Sequence, residues 1–141
     1  MTDMGKKARE LFEDKDYNCA EAVWLGMNHD LSEAEQALML RLATGFGGGA
    51  ACGSICGAVA GAVMSIGRWY GREPGGPRAD DAKALTKEFV EKIIAEYGSI
   101  DCRDMKPKTP DYRAVCAGYV EHCAGLALEL IDRGPDSEDC G

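Results

Sequence analysis

The chain has no apolar run long enough to suggest a membrane span. Its most hydrophobic stretch, residues 55–66, falls short of the roughly 20 residues a transmembrane helix needs, and glycine and alanine dilute it. Residues 1–17 carry charges of both signs and lack the apolar stretch of about 7–15 residues that marks a secretory leader, so the expected location is cytoplasmic. No cluster of Lys and Arg stands out. With 16 basic against 24 acidic residues and a formal charge of -8, the surface is unsuited to a row of phosphates, which argues against nucleic acid as a partner. Period-two alternation is missing, so no sheet is expected. Neither CxxC nor CxxCH occurs, which argues against a thioredoxin-like pair and covalent haem. The two histidines, His29 and His122, form no paired ligand motif and are expected to be solvated.

What is present is a chain of 141 residues, 45% hydrophobic and 28% charged, enough for one packed domain without crosslinks. The expected organisation is a single helical domain over residues 1–133 and a flexible tail over 134–141. Its fold class is all-α: a compact bundle of five or six helices around a buried helix rich in glycine and alanine.

Six helical segments follow from periodicity and end signals. Residues 4–14 place Ala8, Leu11 and Phe12 on one face. Asn18 is a suitable N-cap for residues 18–27, with Cys19 in the first turn. Ser32 and Glu35 make a capping box ahead of residues 33–44. Residues 54–70 are small and apolar on nearly every side, and Gly57 and Gly61 share a face that lets a neighbouring helix approach. Leu85, Phe89, Ile93 and Tyr97 form a stripe that begins after Asp80 and Asp81 and stops at Gly98. A last helix over 112–133 carries Cys116, Tyr119, Cys123, Ala127 and Leu130 on one face.

Between these lie a glycine-rich loop at residues 45–53, a linker at 72–78 and an irregular stretch at 99–110 holding Cys102. The GFGGG run lacks the Lys-Ser/Thr of a phosphate loop and follows a helix rather than a strand, so it is not read as a nucleotide site.

The seven cysteines are the feature with most chemical content. At about 5% of the chain they are too sparse for a secreted disulfide scaffold, for which roughly 8–10% is usual, and in a reducing compartment they point to redox, catalytic or metal-binding work. With Ser54 as N-cap, Cys56 would occupy the second helical position, where unpaired N–H groups and the helix dipole favour a thiolate. Its alternative is that of any small buried residue, and the same alternative applies to Cys19 and Cys102. Cys116 and Cys123 stand about 10.5 Å apart along a helix axis. That is beyond the roughly 7 Å a disulfide tolerates, so they cannot pair with each other.

Asn18-Cys19, the run from Gly45 to Gly49, the motif Cys56-Gly57-Ala58-Val59-Ala60-Gly61, and then Cys102 and Cys116 stand in a recognisable order. In that order the chain resembles the redox-active family named for the pattern C_GCAxxG_C_C. The likeness runs from about residue 18 to residue 130, and CGAxxG is its most specific part. It implies that Cys19, Cys56, Cys102 and Cys116 are the working thiols, with Cys123 competing for the last place. Cys52, Cys123 and Cys140 are additions to the pattern. The N-terminal region of split-Soret cytochromes is also similar. That likeness implies an iron-sulfur cluster on the same four cysteines as a second option, with zinc a lesser one.

Three functions follow as expectations. In the first, Cys56 as thiolate exchanges with the disulfide of an unidentified redox partner and Cys19, chosen on the family pattern, resolves the product. In the second, Cys19, Cys56, Cys102 and Cys116 ligate a cluster or metal for electron transfer. In the third, the cysteines are only buried, and the glycine-rich helix serves assembly, for instance of a homodimer.

Overall fold

The computed structural model describes residues 3–135. The described chain is all-α: α1 (Asp3–Asp14), α2 (Cys19–Met27), α3 (Glu33–Thr44), α4 (Gly57–Tyr70), α5 (Asp80–Tyr97), α6 (Cys102–Met105) and α7 (Tyr112–Arg133). Seven helices replace the expected five or six because the stretch around Cys102 winds into one helical turn, α6. Most of the anticipated tail, residues 136–141 with Cys140, lies outside the described residues.

Side chains fix several helix ends. Asn18 Oδ1 accepts from the Glu21 N–H at 2.9 Å while Glu21 Oε1 accepts from the Asn18 N–H at 2.9 Å, so α2 starts in a capping box whose second half the sequence reading passed over. Asn18 Nδ2 also donates to the Thr44 carbonyl at 3.0 Å, and Thr44 Oγ1 donates to Glu21 Oε2 at 2.7 Å. The start of α2 is thereby tied to the end of α3. Ser32 and Glu35 form the expected box at α3, and Gly98 ends α5 with a left-handed φ of 85°.

The interior is shared among α2, α4 and α7. Helix α7 packs against α1, α2, α4 and α5, and α2 packs against α1, α3, α4 and α7. Val23, Val59, Ile66, Phe89, Ile93 and Val120 are fully buried between them. Helix α7 is apolar and long enough, by length and composition, to pass for a membrane span, with a mean hydropathy of 1.3. Its contacts with four other helices account for that apolarity. By contrast α3 rests on α2 and leaves Leu38 and Leu42 50% and 57% exposed, so it contributes little to the interior.

Where α2 ends, Asn28 and Ser65 are buried polar groups that satisfy each other. Asn28 Nδ2 donates to the Trp24 carbonyl at 2.8 Å and to Ser65 Oγ at 3.0 Å, and Arg68 donates to Asn28 Oδ1 at 3.0 Å. The Arg68 guanidinium also forks onto Asp30 and holds its carboxyl down to about 2.

Helices α2 and α4 meet backbone to backbone. A Cβ at Gly61 would stand 2.8 Å from the Ala20 carbonyl oxygen and 3.1 Å from Val23 Cβ, and one at Gly57 would stand 3.0 Å from Ala20 N and Cys19 Cβ. Gly67, on the same helix, has nothing within 4 Å of such a position. Gly61→Ala is therefore expected to destabilise the protein by about 1–3 kcal/mol through overpacking against backbone. Gly67→Ala should instead stabilise it by about 0.5–1 kcal/mol through helix propensity. Urea unfolding of the two variants measures both, and equal midpoints would contradict the close α2–α4 contact.

Candidate functional site

Four segments deliver four thiols to one place. Cys19 opens α2 behind the capping box. Cys116 lies one turn into α7 and is 7% exposed. Cys56 is the N-cap residue of α4 rather than a residue of its first turn, which corrects the expected Ser54 cap. No side-chain hydrogen bond caps the helix there, but the N–H groups of Ala58 and Val59 lie where they favour a thiolate at Cys56. Cys102 opens α6.

A short antiparallel bridge holds Cys56 and Cys102 together. Ile55 pairs with Asp101, the Cys56 N–H donates to the Ile100 carbonyl at 2.6 Å, and the Cys102 N–H donates to the Ser54 carbonyl at 2.6 Å. Because side chains alternate along a bridge, Ile55 and Asp101 point one way and both cysteines the other, as diagonal neighbours. The glycine-rich loop packs behind them. A Cβ at Gly49 would fall 2.5 Å from Cys102 Cβ, and Gly49 has a left-handed φ of 70°. The Ser54 N–H closes the turn Gly49–Gly53 onto the Gly49 carbonyl at 2.8 Å, in the i to i+5 pattern of a π-turn. Apart from Cys52 at φ -136°, its residues have positive φ, including Ala50 at 56° and Ala51 at 62°. Two alanines in that region cost about 1–2 kcal/mol each, so the loop holds this shape against its own preference.

Every pair among Cys19, Cys56, Cys102 and Cys116 is within electrostatic reach. Charge on Cys56, Cys102 or Cys116 opposes ionisation of Cys19. Charge on Cys102 or Cys116 opposes that of Cys56, and Cys116 acts likewise on Cys102. Cys123 is wholly buried and feels Cys56 alone among the thiols. Cys52 is exposed on the left-handed turn, its thiol 3.7 Å from the Gly49 carbonyl. Cys116, rather than Cys123, thus shares electrostatic reach with all of the other three.

The thiols are not equivalent. Cys116 is lowered to about 7, first by its interaction with the Cys19 thiol and then by the charges of Lys106 and Arg113, which outweigh burial. Cys19 is pushed up by the same interaction with Cys116, by burial and by the other thiols. This is a sulfur-to-sulfur interaction rather than a short directional hydrogen bond. Cys116 is the member that ionises because Lys106 and Arg113 act on it and not on Cys19. Burial pushes Cys56 up in spite of its two N–H donors, and also pushes up Cys102, on which Lys106 acts in the opposite direction. At Cys56, the thiolate expected from the sequence, burial outweighs the nearby N–H groups, whereas Cys116 is the one of the four that its surroundings lower.

Lys106 and Arg113 were not singled out by the sequence reading. Arg113 stands three residues before Cys116 on one helix, a spacing that puts both on one face. Lys106 follows α6 and donates its N–H to the Cys102 carbonyl at 2.8 Å. The Tyr119 hydroxyl donates to the Met105 carbonyl at 2.7 Å, binding α7 to α6. His29 is exposed, but His122 is half-buried with its ring edge-on to Tyr97 at 5.7 Å, so it is not the solvated residue expected. Among the described residues no three of His, Cys, Asp and Glu are arranged to hold a metal ion.

An all-α fold that brings four cysteines into mutual electrostatic reach is the chemistry-bearing feature of the described residues. The particular family follows from the sequence. Residues 17–130 match the family described as "Putative redox-active protein (C_GCAxxG_C_C)", and the chain belongs to it. No curated protein and no solved structure matches the chain.

Thiolate absorbance is expected to rise with pH through a midpoint of about 7 that Cys116→Ser abolishes. Cys19→Ala removes a thiol donor and Lys106→Gln a cation, so each should move that midpoint upward. A midpoint unchanged in both variants would contradict the assigned causes.

Proposed function

We propose that the protein is a thiol–disulfide exchange protein in which Cys116 is the nucleophile and Cys19 the resolving thiol. The observation that carries this reading is the placement of Cys19 at the start of α2 and Cys116 one turn into α7, on helices packed together, with Lys106 and Arg113 acting on Cys116 and not on Cys19. A low-pKa attacking thiol beside a protonated partner is the arrangement exchange requires.

The Cys116 thiolate attacks one sulfur of a partner disulfide, forming a mixed disulfide and releasing the partner's other sulfur as a thiolate that takes a proton from water. Cys19 then gives up its proton and attacks Cys116 Sγ. The Cys19–Cys116 disulfide forms, the mixed bond breaks and the second partner thiol leaves. Two electrons pass from the dithiol to the partner, which ends as two thiols.

Cys56 and Cys102 are auxiliary in this reading. Their thiols stay protonated beside the pair and keep the site from carrying several negative charges at once. The alternative ligand reading would use Cys19, Cys56, Cys102 and Cys116 together. Among the described residues no three such donors are arranged to hold a metal ion, and no step is assigned to a cluster.

Reduced protein treated with a small disulfide is expected to lose two thiols and gain a Cys19–Cys116 crosslink, identified by peptide mass spectrometry. Protein purified without oxygen should be colourless. Stoichiometric iron and sulfide with visible absorption, or a crosslink that excludes Cys116, would overturn the proposal.

A further inference from the structure

We infer that the site takes anionic disulfides, received by a cationic rim of Arg103, Lys106 and Arg113 beside Cys102 and Cys116. This rests on the exchange reading and adds the charge class of the substrate to it.

The chain as a whole repels anions, with a formal charge of -8. The segment from Asp101 to Cys116 is different, with Arg103, Lys106, Lys108 and Arg113 against Asp101, Asp104 and Asp111. Asp104 accepts from the Ser99 hydroxyl at 2.8 Å and Asp111 from the Thr109 hydroxyl, neutral partners that leave both charges in place, so the segment's cations exceed its carboxylates by one.

Each cation of the rim is held by a neutral partner. Arg9, Arg68, Arg78, Lys92 and Arg133 instead pair with carboxylates, while Arg72 shares the rim's pattern by donating to the Gly76 carbonyl at 2.7 Å. Among the described residues no carboxylate pairs with Arg103, Lys106 or Arg113. Arg103 Nε donates to the Gly53 carbonyl at 2.9 Å. Lys106 Nζ lies 4.1 Å over the Tyr112 ring. The Arg113 guanidinium lies 4.0 Å over the Phe12 ring and donates to the Phe12 carbonyl at 2.7 Å. Neutral partners of this kind orient a cation and leave its charge uncompensated. All three residues are exposed, and the same cations act on the thiols, Lys106 on both Cys102 and Cys116 and Arg113 on Cys116. A disulfide whose substituents carry carboxylates or phosphates can place an anion on this rim, where guanidinium groups offer two parallel donors, while its sulfur reaches Cys116.

The test uses the reduced full chain above the Cys116 midpoint, where the attacking group is ionised in every variant. Second-order rates are measured with three disulfides of similar size, dicarboxylate, uncharged and diammonium, each divided by its rate with a simple free thiol. The dicarboxylate is expected to lead the uncharged reagent by about tenfold or more at low salt, a lead that shrinks as salt is added. Lys106→Gln and Arg113→Gln should each reduce that lead, and Lys92→Gln, on α5, should not. Equal normalised rates for the three reagents, or a lead untouched by the rim variants, would overturn the proposal. Alkylation of Cys116 by iodoacetate against iodoacetamide separates the two readings. Preference for the anionic alkylator with no reaction toward any disulfide would retain the rim but defeat exchange, and with it the disulfide as substrate.

Discussion

Two backbone hydrogen bonds, between the Cys56 N–H and Ile100 and between the Cys102 N–H and Ser54, are what the four-thiol centre depends on. Three of its cysteines ride on elements anchored elsewhere: Cys19 and Cys116 on helices of the interior, Cys56 at the start of another. Cys102 opens a helix of one turn, too short to hold itself by its own hydrogen bonds. The bridge gives that turn a fixed address, and the Tyr119–Met105 hydrogen bond holds its other end. The left-handed turn pays for the arrangement, with Ala50 and Ala51 in a region alanine avoids. Gly49 supplies a contact that no side chain would allow, against Cys102.

Charge supplies the second constraint. Four thiols in mutual reach cannot all ionise, because each thiolate raises the cost of the next. Which one ionises first depends on surroundings rather than on the sulfur itself. The N–H donors at the α4 cap favour a thiolate at Cys56, yet desolvation outweighs them. At Cys116 two fixed cations and a thiol donor outweigh it.

Much of this fold was legible in the sequence where one residue acts on its near neighbours. The limits of α3, α5 and α7 follow from Ser32 with Glu35, from Gly98 and from the apolar stripe, and each of these signals acts within a few residues. Spacing also anticipated the close face of Gly57 and Gly61. The start of α4 was misjudged because Ser54 is a good cap by chemistry, but its carbonyl is committed to Cys102, a partner 48 residues away in sequence. The glycine run announced conformational freedom without saying that the chain would use it in the left-handed direction. Family order pointed to the same four cysteines that the structure brings within reach, but the choice of Cys19 and Cys56 as the exchanging pair was made without tertiary packing. Whether Cys19 faces Cys56 or Cys116 depends on how α2 and α7 cross, which neither segment encodes alone.

In the proposed exchange, the coupling of Cys19 to Cys116 also orders the two steps. While Cys116 is a thiolate, Cys19 is held protonated, since its thiol serves that thiolate and since a second negative charge so near is costly. Attack on a partner disulfide converts the Cys116 sulfur into a neutral mixed disulfide. Two of the influences that raise Cys19, the interaction with the thiolate and the charge of Cys116, then disappear together. Cys19 becomes easier to ionise at the moment when its target, Cys116 Sγ, becomes electrophilic. Burial of Cys19 remains and slows the second step relative to a freely exposed thiol. In this reading the resolving thiol is silent before the first bond forms and is released by it, with no moving part beyond the charge on one sulfur.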